Sequence, residues 1–283
     1  MLHFGTSSFS NKDWVGPFYP PGTAPADYLK IYAQRFDTVE IDATYYAVPS
    51  VRTVEGWAQK TPEDFLLALK FPAAIVHAGK EARPDPDILL LPDKTYSIRD
   101  KFLNVASILG KRLGPLLLQF PYFRKEDFAH FDDFAQRLNR FLADLPREFR
   151  YAVEIRNRYW LKPELADLCR RHQAALTLVD YMSMPLGDEV EKLFDPVTAD
   201  FAYIRLVGDR KKIEAITTKW DQEVLDRSES LKRWAGVINR LAKRKVRTYI
   251  YINNHYAGHA PATLRKLSDL VFAEMELSEM GRK

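Results

Sequence analysis

Tyr151-Ala152-Val153-Glu154-Ile155-Arg156 reads as a β-strand in which apolar Val153 and Ile155 alternate with Glu154 and Arg156. An edge strand would turn such charges to water. The same habit recurs, however, in Thr38-Val39-Glu40-Ile41-Asp42, Leu66-Leu67-Ala68-Leu69-Lys70, Leu116-Leu117-Leu118-Gln119, Leu176-Thr177-Leu178-Val179-Asp180, Tyr203-Ile204-Arg205 and Tyr251-Ile252-Asn253. Each is an apolar run with one ionisable or amide residue near its C-terminal end. If these strands close on themselves, one parity faces surrounding helices and must be apolar: Val39 and Ile41, Leu67 and Leu69, Val153 and Ile155, Ile250 and Ile252. The other parity faces an axis, and Glu40, Lys70, Gln119, Glu154, Asp180, Arg205 and Asn253 are assigned to it.

Helical patterns separate the strands. The periodicity predicts helices over 26–35, opened by Pro25, over 51–60, capped by Ser50, and over 96–109, ended by Gly110. Further helices are predicted over 125–144, 163–172, 228–243 and 260–277. In the first of these Phe128, Phe131, Phe134, Leu138 and Phe141 form a core-facing stripe. Strands over 2–6, 38–42, 65–71, 114–119, 151–156, 175–180, 201–207 and 246–253 complete the alternation. Strand–helix alternation implies parallel strands joined by helical crossovers. Eight strands in 283 residues, seven of them followed by a helical pattern, predict an α/β fold, a single (β/α)8 TIM-type barrel spanning 1–283 with its helices outside. A doubly wound open sheet is disfavoured, because no Gly-rich dinucleotide turn follows an early strand. Residues 72–95, rich in charge and proline (Pro72, Pro84, Pro86, Pro92), are a candidate lid.

Composition narrows the function classes. The chain is 46% apolar and 28% charged, with a net charge of +4, which permits an anionic ligand without the concentrated basic stripe of a nucleic-acid binder. The single cysteine, Cys169, excludes an intrachain disulfide framework and reads as a buried structural thiol in a reducing compartment. No signal-peptide pattern opens the sequence, and no apolar run reaches the ~20 residues of a membrane span. The expectation is a cytoplasmic protein with no membrane partner.

In a barrel of this kind the site lies at the C-terminal strand ends. Carboxylates Glu40, Asp42, Glu154 and Asp180, cations Lys70, Arg156 and Arg205, and amides Gln119, Asn253 and Asn254 would converge there, with His77, His255 and His259 from adjacent loops. Carboxylates among like charges and cations handle protons, and guanidinium groups grip carboxylate or phosphate in a plane. The bland alternative is mutual pairing inside the barrel, Glu40 with Lys70 and Glu154 with Arg205. Aromatic residues, among them Trp14, Tyr45, Tyr46, Tyr159 and Tyr181, crowd the same face and serve either stacking on a ligand or packing of loops. Glu154, Asp180, His77 and His255 are the metal-ligand candidates, yet Arg205 opposes a cation and no HxH or HExxH spacing occurs. No cofactor is therefore expected, and a metal, if held, would be Mg²⁺ or Mn²⁺ on oxygen ligands. A GxSxG serine site is absent. The basic loop Gly208-Asp209-Arg210-Lys211-Lys212 leaves the mouth beside Arg205, whereas Lys243-Arg244-Lys245 ends a helix on the opposite face.

Several stretches carry a family resemblance. They are Gly5-Thr6-Ser7 with Trp14 and Phe18-Tyr19-Pro20, Thr38–Ile41 with Thr44-Tyr45-Tyr46, Phe65–Lys70 with His77, Leu113-Gly114-Pro115-Leu116 with Gln119-Phe120-Pro121, Val153–Arg156 with Trp160, Asp180, Tyr203-Ile204-Arg205-Leu206 with Gly208, and Asn253-Asn254 with Gly258-His259-Ala260-Pro261. In these the chain resembles the YecE-like proteins, domain-of-unknown-function family 72. The resemblance implies a TIM-type barrel and no established reaction. Where family members read Arg-Leu-His-Gly, this chain has Arg205-Leu206-Val207-Gly208, and Ser8-Phe9 replaces a Gly-Trp or Gly-Tyr pair.

The leading expectation is an enzyme acting on a small polar or phosphorylated, sugar-like compound. Lys70, Arg156 and Arg205 bind its anionic part, and Glu154 or Glu40, with Asp180 beside them, is the acid/base. Gln119, Asn253, Asn254, Tyr45, Trp14, His77 and His259 line the site. A metal-dependent nucleic-acid phosphodiesterase resembling endonuclease IV-like barrels is the first alternative, motivated by the basic mouth loop. A non-catalytic ligand-binding barrel is the second.

Overall fold

Runs of leucine, valine, isoleucine and tyrosine flanked by Gly, Pro and Asp draw the chain into parallel strands. A computed structural model describes residues 1–79, 83–182 and 184–280. Its strands are β1 (Leu2–Thr6), β2 (Thr38–Ile41), β3 (Leu66–Lys70), β4 (Leu113–Gln119), β5 (Tyr151–Glu154), β6 (Ala175–Leu176), β7 (Leu178–Asp180), β8 (Phe201–Leu206) and β9 (Arg247–Ile252). They form two parallel sheets, ordered β1-β9-β8-β7 and β2-β3-β4-β5-β6. The expected single ring of eight strands is thus seen as two sheets, and the strand expected over 175–180 is divided at Thr177. The division follows from stagger. Leu176 pairs with Val153 of β5, whereas Leu178 pairs with Ile204 of β8, so one short run meets its two neighbours at different ends. At the other junction Ser7 bridges Glu40, and the Ser8 N–H donates to the Glu40 carbonyl at 2.7 Å.

Strand parity is as the sequence implies for the apolar set. Val39, Ile41, Leu67, Leu69, Val153, Ile155, Ile250 and Ile252 join the large core shared with the helices. The opposite parity builds a separate inner cluster of Ala68, Leu117, Ala152, Ala175, Phe201, Tyr203, Tyr249 and Tyr251. Small residues from β3, β5 and β6 make room for the tyrosines of β8 and β9.

The helices are α1 (Tyr28–Tyr32), α2 (Val51–Lys60), α3 (Pro92–Ala106), α4 (Phe131–Ala143), α5 (Pro163–Arg171), α6 (Ser228–Lys243) and α7 (Ala260–Met280), with shorter turns between them. Ser50 caps α2, its Oγ accepting from the Thr53 N–H at 3.1 Å. Helix α4 begins later than its periodicity implies, because the Asp127 carboxylate accepts from the Arg124 N–H and holds 124–127 in a turn. Its stripe is core as expected, with Phe134 stacked on Trp160. Residues 72–95 are not one plain loop. They include the short helix Ala73–Val76, α3 starts at Pro92, and Ile75, Val76, Leu89 and Leu90 are anchored in the core. Residues 80–82, at the middle of this stretch, lie outside the described ones. Cys169 is fully buried, and burial pushes its thiol up to about 12. No helix among the described residues is long and apolar enough to cross a membrane.

Candidate functional site

The axial polar residues sort by depth. At the centre stands Arg205, projecting inward from β8 and 2% exposed. Its Nε and Nη2 donate to both oxygens of Glu40 at 2.9 and 2.7 Å, and its Nη1 donates to Glu154 at 2.6 Å and Gln119 Oε1 at 3.0 Å. Glu40, on β2, also accepts from the Ser7 hydroxyl at 2.9 Å and the Tyr203 hydroxyl at 2.7 Å. Both glutamates are fully buried. Burial alone would raise the Glu154 carboxyl, but Arg205 and Arg156 outweigh it and hold the group below its ordinary range. Burial likewise opposes charge on Arg205, and Glu154 and Glu40 reverse that effect and lock the cation in place. Each nitrogen of Arg205 is therefore engaged by Glu40, Glu154 or Gln119, which ties the guanidinium to the protein's own side chains.

One step nearer the mouth the pairing differs from expectation. Lys70 does not meet Glu40; its Nζ donates to Asp42 at 2.9 Å. Strand register gives the reason. Glu40 lies level with Ala68, so Lys70 stands two residues above it, level with position 42. The Lys70 ammonium also rests 5.2 Å from the Tyr45 ring centroid. Asp42 is held below its ordinary range because Lys70 and Arg205 together exceed the opposing effect of burial.

Arg156 follows the end of β5. Its Nε donates to Glu154 Oε1 at 3.2 Å, and its guanidinium carbon lies 4.1 Å from the Tyr181 ring centroid. No described residue accepts from its two terminal nitrogens. Across the opening, Asn253 Oδ1 accepts from the His255 backbone N–H at 3.0 Å and lies 2.6 Å from its Nδ1, and Nε2 lies 3.3 Å from Glu214. Burial lowers the His255 pKa, with Glu214 pulling the other way. Gly208 joins the loops after β8 and β9. Its φ is +77°, and a Cβ there would stand 2.4 Å from the His255 carbonyl oxygen.

These groups surround a cavity of about 290 Å³, bounded by Asp42, Tyr45, Tyr46, Lys70, Gln119, Arg156, Tyr181, Arg205, Gly208, Arg210, Asn253 and His255. Of the residues expected in the site, Lys70, Arg156, Arg205, Gln119, Asn253 and Tyr45 meet here, with Glu40 and Glu154 beneath them. Asp180 does not share the axial face. It has the parity of Leu176 and Leu178, and its carboxylate accepts from the Trp234 indole at 2.9 Å and the Ser230 hydroxyl at 2.8 Å, both on α6. Trp14, Asn254 and His259 gather away from the cavity. The Trp14 indole donates to Asn254 Oδ1 at 3.2 Å, the Ala260 N–H donates to the same oxygen, and His259 meets Trp14 edge-on. His77 is buried after Ala73–Val76, accepting the Gly79 N–H on Nδ1. Tyr203 was not legible as a site residue, since it reads as strand core. Tyr46, Tyr181 and His255 were visible as mouth aromatics or loop histidines, and their place on the cavity wall needs the fold.

Chemically, the arrangement offers the terminal guanidinium nitrogens of Arg156 and Arg210, which no described residue engages, the Lys70–Asp42 ion pair at the rim, and flat rings to bracket a ligand. The deeper carboxylates have every oxygen occupied by a donor. Asp42 differs: among the described residues only its Oδ1 has a hydrogen-bond donor, leaving Oδ2 open. Among the described residues no three of His, Cys, Asp and Glu are placed to hold a metal ion.

Comparison with known proteins gives the lineage. The chain is 30% identical over 190 residues to the UPF0759 protein YecE of Escherichia coli strain K12, a match covering 66% of this chain and 61% of that protein, so it spans less than two thirds of that relative. A DUF72 family protein of Thermotoga maritima is 27% identical, with a TM-score of 0.68 over 96% of this chain and 99% of the other. A D-tagatose 3-epimerase-like protein, 12% identical, shares the fold alone, with a TM-score of 0.56 over 96% of this chain and 99% of the other. Because the model of the protein family of unknown function DUF72 matches residues 3–281, the chain belongs to that family.

Proposed function

We propose that this protein is an enzyme whose mouth cavity takes a small, polar, sugar-like molecule carrying one anionic group. In this reading the two sheets are one (β/α)8 barrel, and the cavity lies at the C-terminal strand ends, where such barrels place their chemistry. The observation that carries the proposal is the unsatisfied fork of Arg156, steadied by Glu154 and backed by Tyr181 on the cavity wall. A planar guanidinium held in this way is preorganised for a carboxylate or phosphate. Charge supports a singly anionic ligand over a polyanion. Around the axis, Glu40, Glu154 and Asp42 are balanced by Arg205, Arg156 and Lys70, three negative against three positive. A cavity of about 290 Å³ suits a ligand of sugar size.

The proton-handling role moves from Glu154 and Glu40 to Asp42. Its Oδ2 is open among the described residues, and Lys70 keeps the group ionised in the resting state. The test is a thermal-shift screen with hexose and pentose phosphates beside the matching free sugars. The expected result is stabilisation by at least one phosphate, lost in Arg156→Ala, with Asp42→Asn binding the same compound and failing to turn it over. A screen in which Arg156→Ala responds as the parent does would refute the anion role.

A further inference from the structure

The opposite end of the barrel holds a second charged cleft. Between α4, the start of β5 and the end of α5 lies a cavity of about 370 Å³, walled by Arg147, Arg150, Arg171 and His172, with Glu148 and Asp200 at its border. Arg170 also reaches it but is spent on Asp167 and the Asp195 carbonyl. Among the described residues, no hydrogen bond or ion pair engages the guanidinium of Arg147, Arg150 or Arg171, and neither Glu148 nor Asp200 forms an ion pair with them. A smaller cavity of about 240 Å³ adjoins it, sharing Arg150 and Glu148 and adding Lys111. The positive potential is felt by its neighbours. Burial lowers the His172 pKa, and Arg171 and Arg147 lower it further, while His172 Nε2 stays 2.9 Å from Asn139 Oδ1.

A structural explanation covers only part of this. Basic residues at a helix C-terminus answer the helix dipole, which accounts for Arg170 and Arg171. Arg147 and Arg150 lie outside any helix, in the connection from α4 to β5, and Arg150 is half-buried. Free guanidinium groups converging on one recess repel one another and attract anions. Unlike the mouth, whose charges are balanced, this recess sets three forks from separate elements, unpaired among the described residues, against the two carboxylates of Glu148 and Asp200.

We propose that this cleft at the N-terminal strand ends is a binding site for a compact oligophosphate, either free or as the phosphate chain of a nucleotide. Its size matches a small ligand, and several guanidinium forks suit a chain of phosphates better than a single charge. The experiment is calorimetric titration of the intact protein with inorganic tripolyphosphate, ATP and adenosine at low salt. Tripolyphosphate is expected to bind one to one. The affinity should fall roughly tenfold in Arg150→Gln and in exposed Arg171→Gln, the loss of one charge-assisted contact, and stay unchanged in Arg156→Ala. ATP binding as tightly, with adenosine inert, assigns the site to nucleotide phosphates; ATP binding more weakly assigns it to the free oligophosphate. The proposal is overturned if tripolyphosphate does not bind, if Arg171→Gln in folded protein binds it unchanged, or if RNA binds there and tripolyphosphate fails to displace it.

Discussion

Replacing Arg205 with methionine removes the shared counter-charge of two carboxylates that have no access to water. Glu154 keeps Arg156, and Glu40 keeps the Ser7 and Tyr203 hydroxyls, but Glu40 loses the only cation paired with it among the described residues. Breaking a buried pair in this way costs about 3–5 kcal/mol. At roughly 2–4 °C per kcal/mol for a chain of this size, the melting temperature should fall by about 6–20 °C at pH 7. The pH dependence gives the stronger test. In the parent, the Glu154 carboxyl sits below its unfolded value, so its contribution is present above ~4.3 and is lost as pH falls through the lowered folded value. Without Arg205, burial weighs more heavily on the Glu154 carboxylate and its folded value rises. A carboxyl raised in this way costs the fold stability once it ionises, so the variant's deficit should shrink between pH 7 and about 5. Urea unfolding at both pH values measures this gap. A deficit under about 1 kcal/mol at pH 7, or one that does not narrow on acidification, would refute the view of Arg205 as the central pin. Adding Glu40→Gln and Glu154→Gln to Arg205→Met should recover part of the loss, since an uncharged core of similar volume tolerates the change.

Gly208→Ala should cost about 1–3 kcal/mol, because φ is +77° and the new Cβ would press on the His255 carbonyl; Gly16→Ala, also at positive φ but with open space around it, should cost less in the same urea titration. Equal costs would show that the close approach of the two mouth loops is easily relieved. Trp14→Phe should cost about 1–3 kcal/mol by leaving Asn254 Oδ1 with one donor fewer and a smaller ring against His259, and a neutral result would mean that the contact between the first loop and the last helix is dispensable.

The strand pattern was legible because parity is set by backbone geometry alone. Val153 and Ile155 against Glu154 needed no partner to be read, and Ser50 as a cap and α6 over 228–243 follow from local chemistry in the same way. Asp180 departs from the axial set. It shares the parity of Leu176 and Leu178, so the outward direction was present in the sequence, and its partner Trp234 lies in a later helix. The Lys70–Asp42 pair follows from counting along β2 and β3 once parallel register is granted, whereas pairing Lys70 with Glu40 ignored the two-residue offset. Arg205 is a different case. Its pairing with Glu154 was among the pairings expected inside the barrel, whereas its reach across the axis to Glu40 on β2 and Gln119 on β4 was not, since no spacing in sequence encodes a contact made across an interior. The tyrosines of β8 and β9 were hidden for a related reason: they fill the inside, not the helix-facing core.

Depth along the axis separates stability from chemistry. Glu154 cannot accept a proton without giving up a charge-assisted bond to Arg205 or Arg156, each worth about 1.5–3 kcal/mol. Glu40 is bound still more tightly, by a cation and two hydroxyls. Asp42 loses far less, because one oxygen already lacks a donor and its side chain is 29% exposed. The same contrast holds for the cations. Arg205 has all its nitrogens occupied by Glu40, Glu154 and Gln119, whereas Arg156 has only Nε engaged. A ligand entering the mouth therefore meets groups with spare bonding capacity at the level of Asp42 and Arg156, and below them a saturated layer that fixes their positions. On the proposed function, substitution at Arg156 should alter ligand binding with little loss of stability, and substitution at Asp42 should alter turnover at the added cost of leaving buried Lys70 without its ion pair. Substitutions at Arg205 or Glu40 should act chiefly on stability.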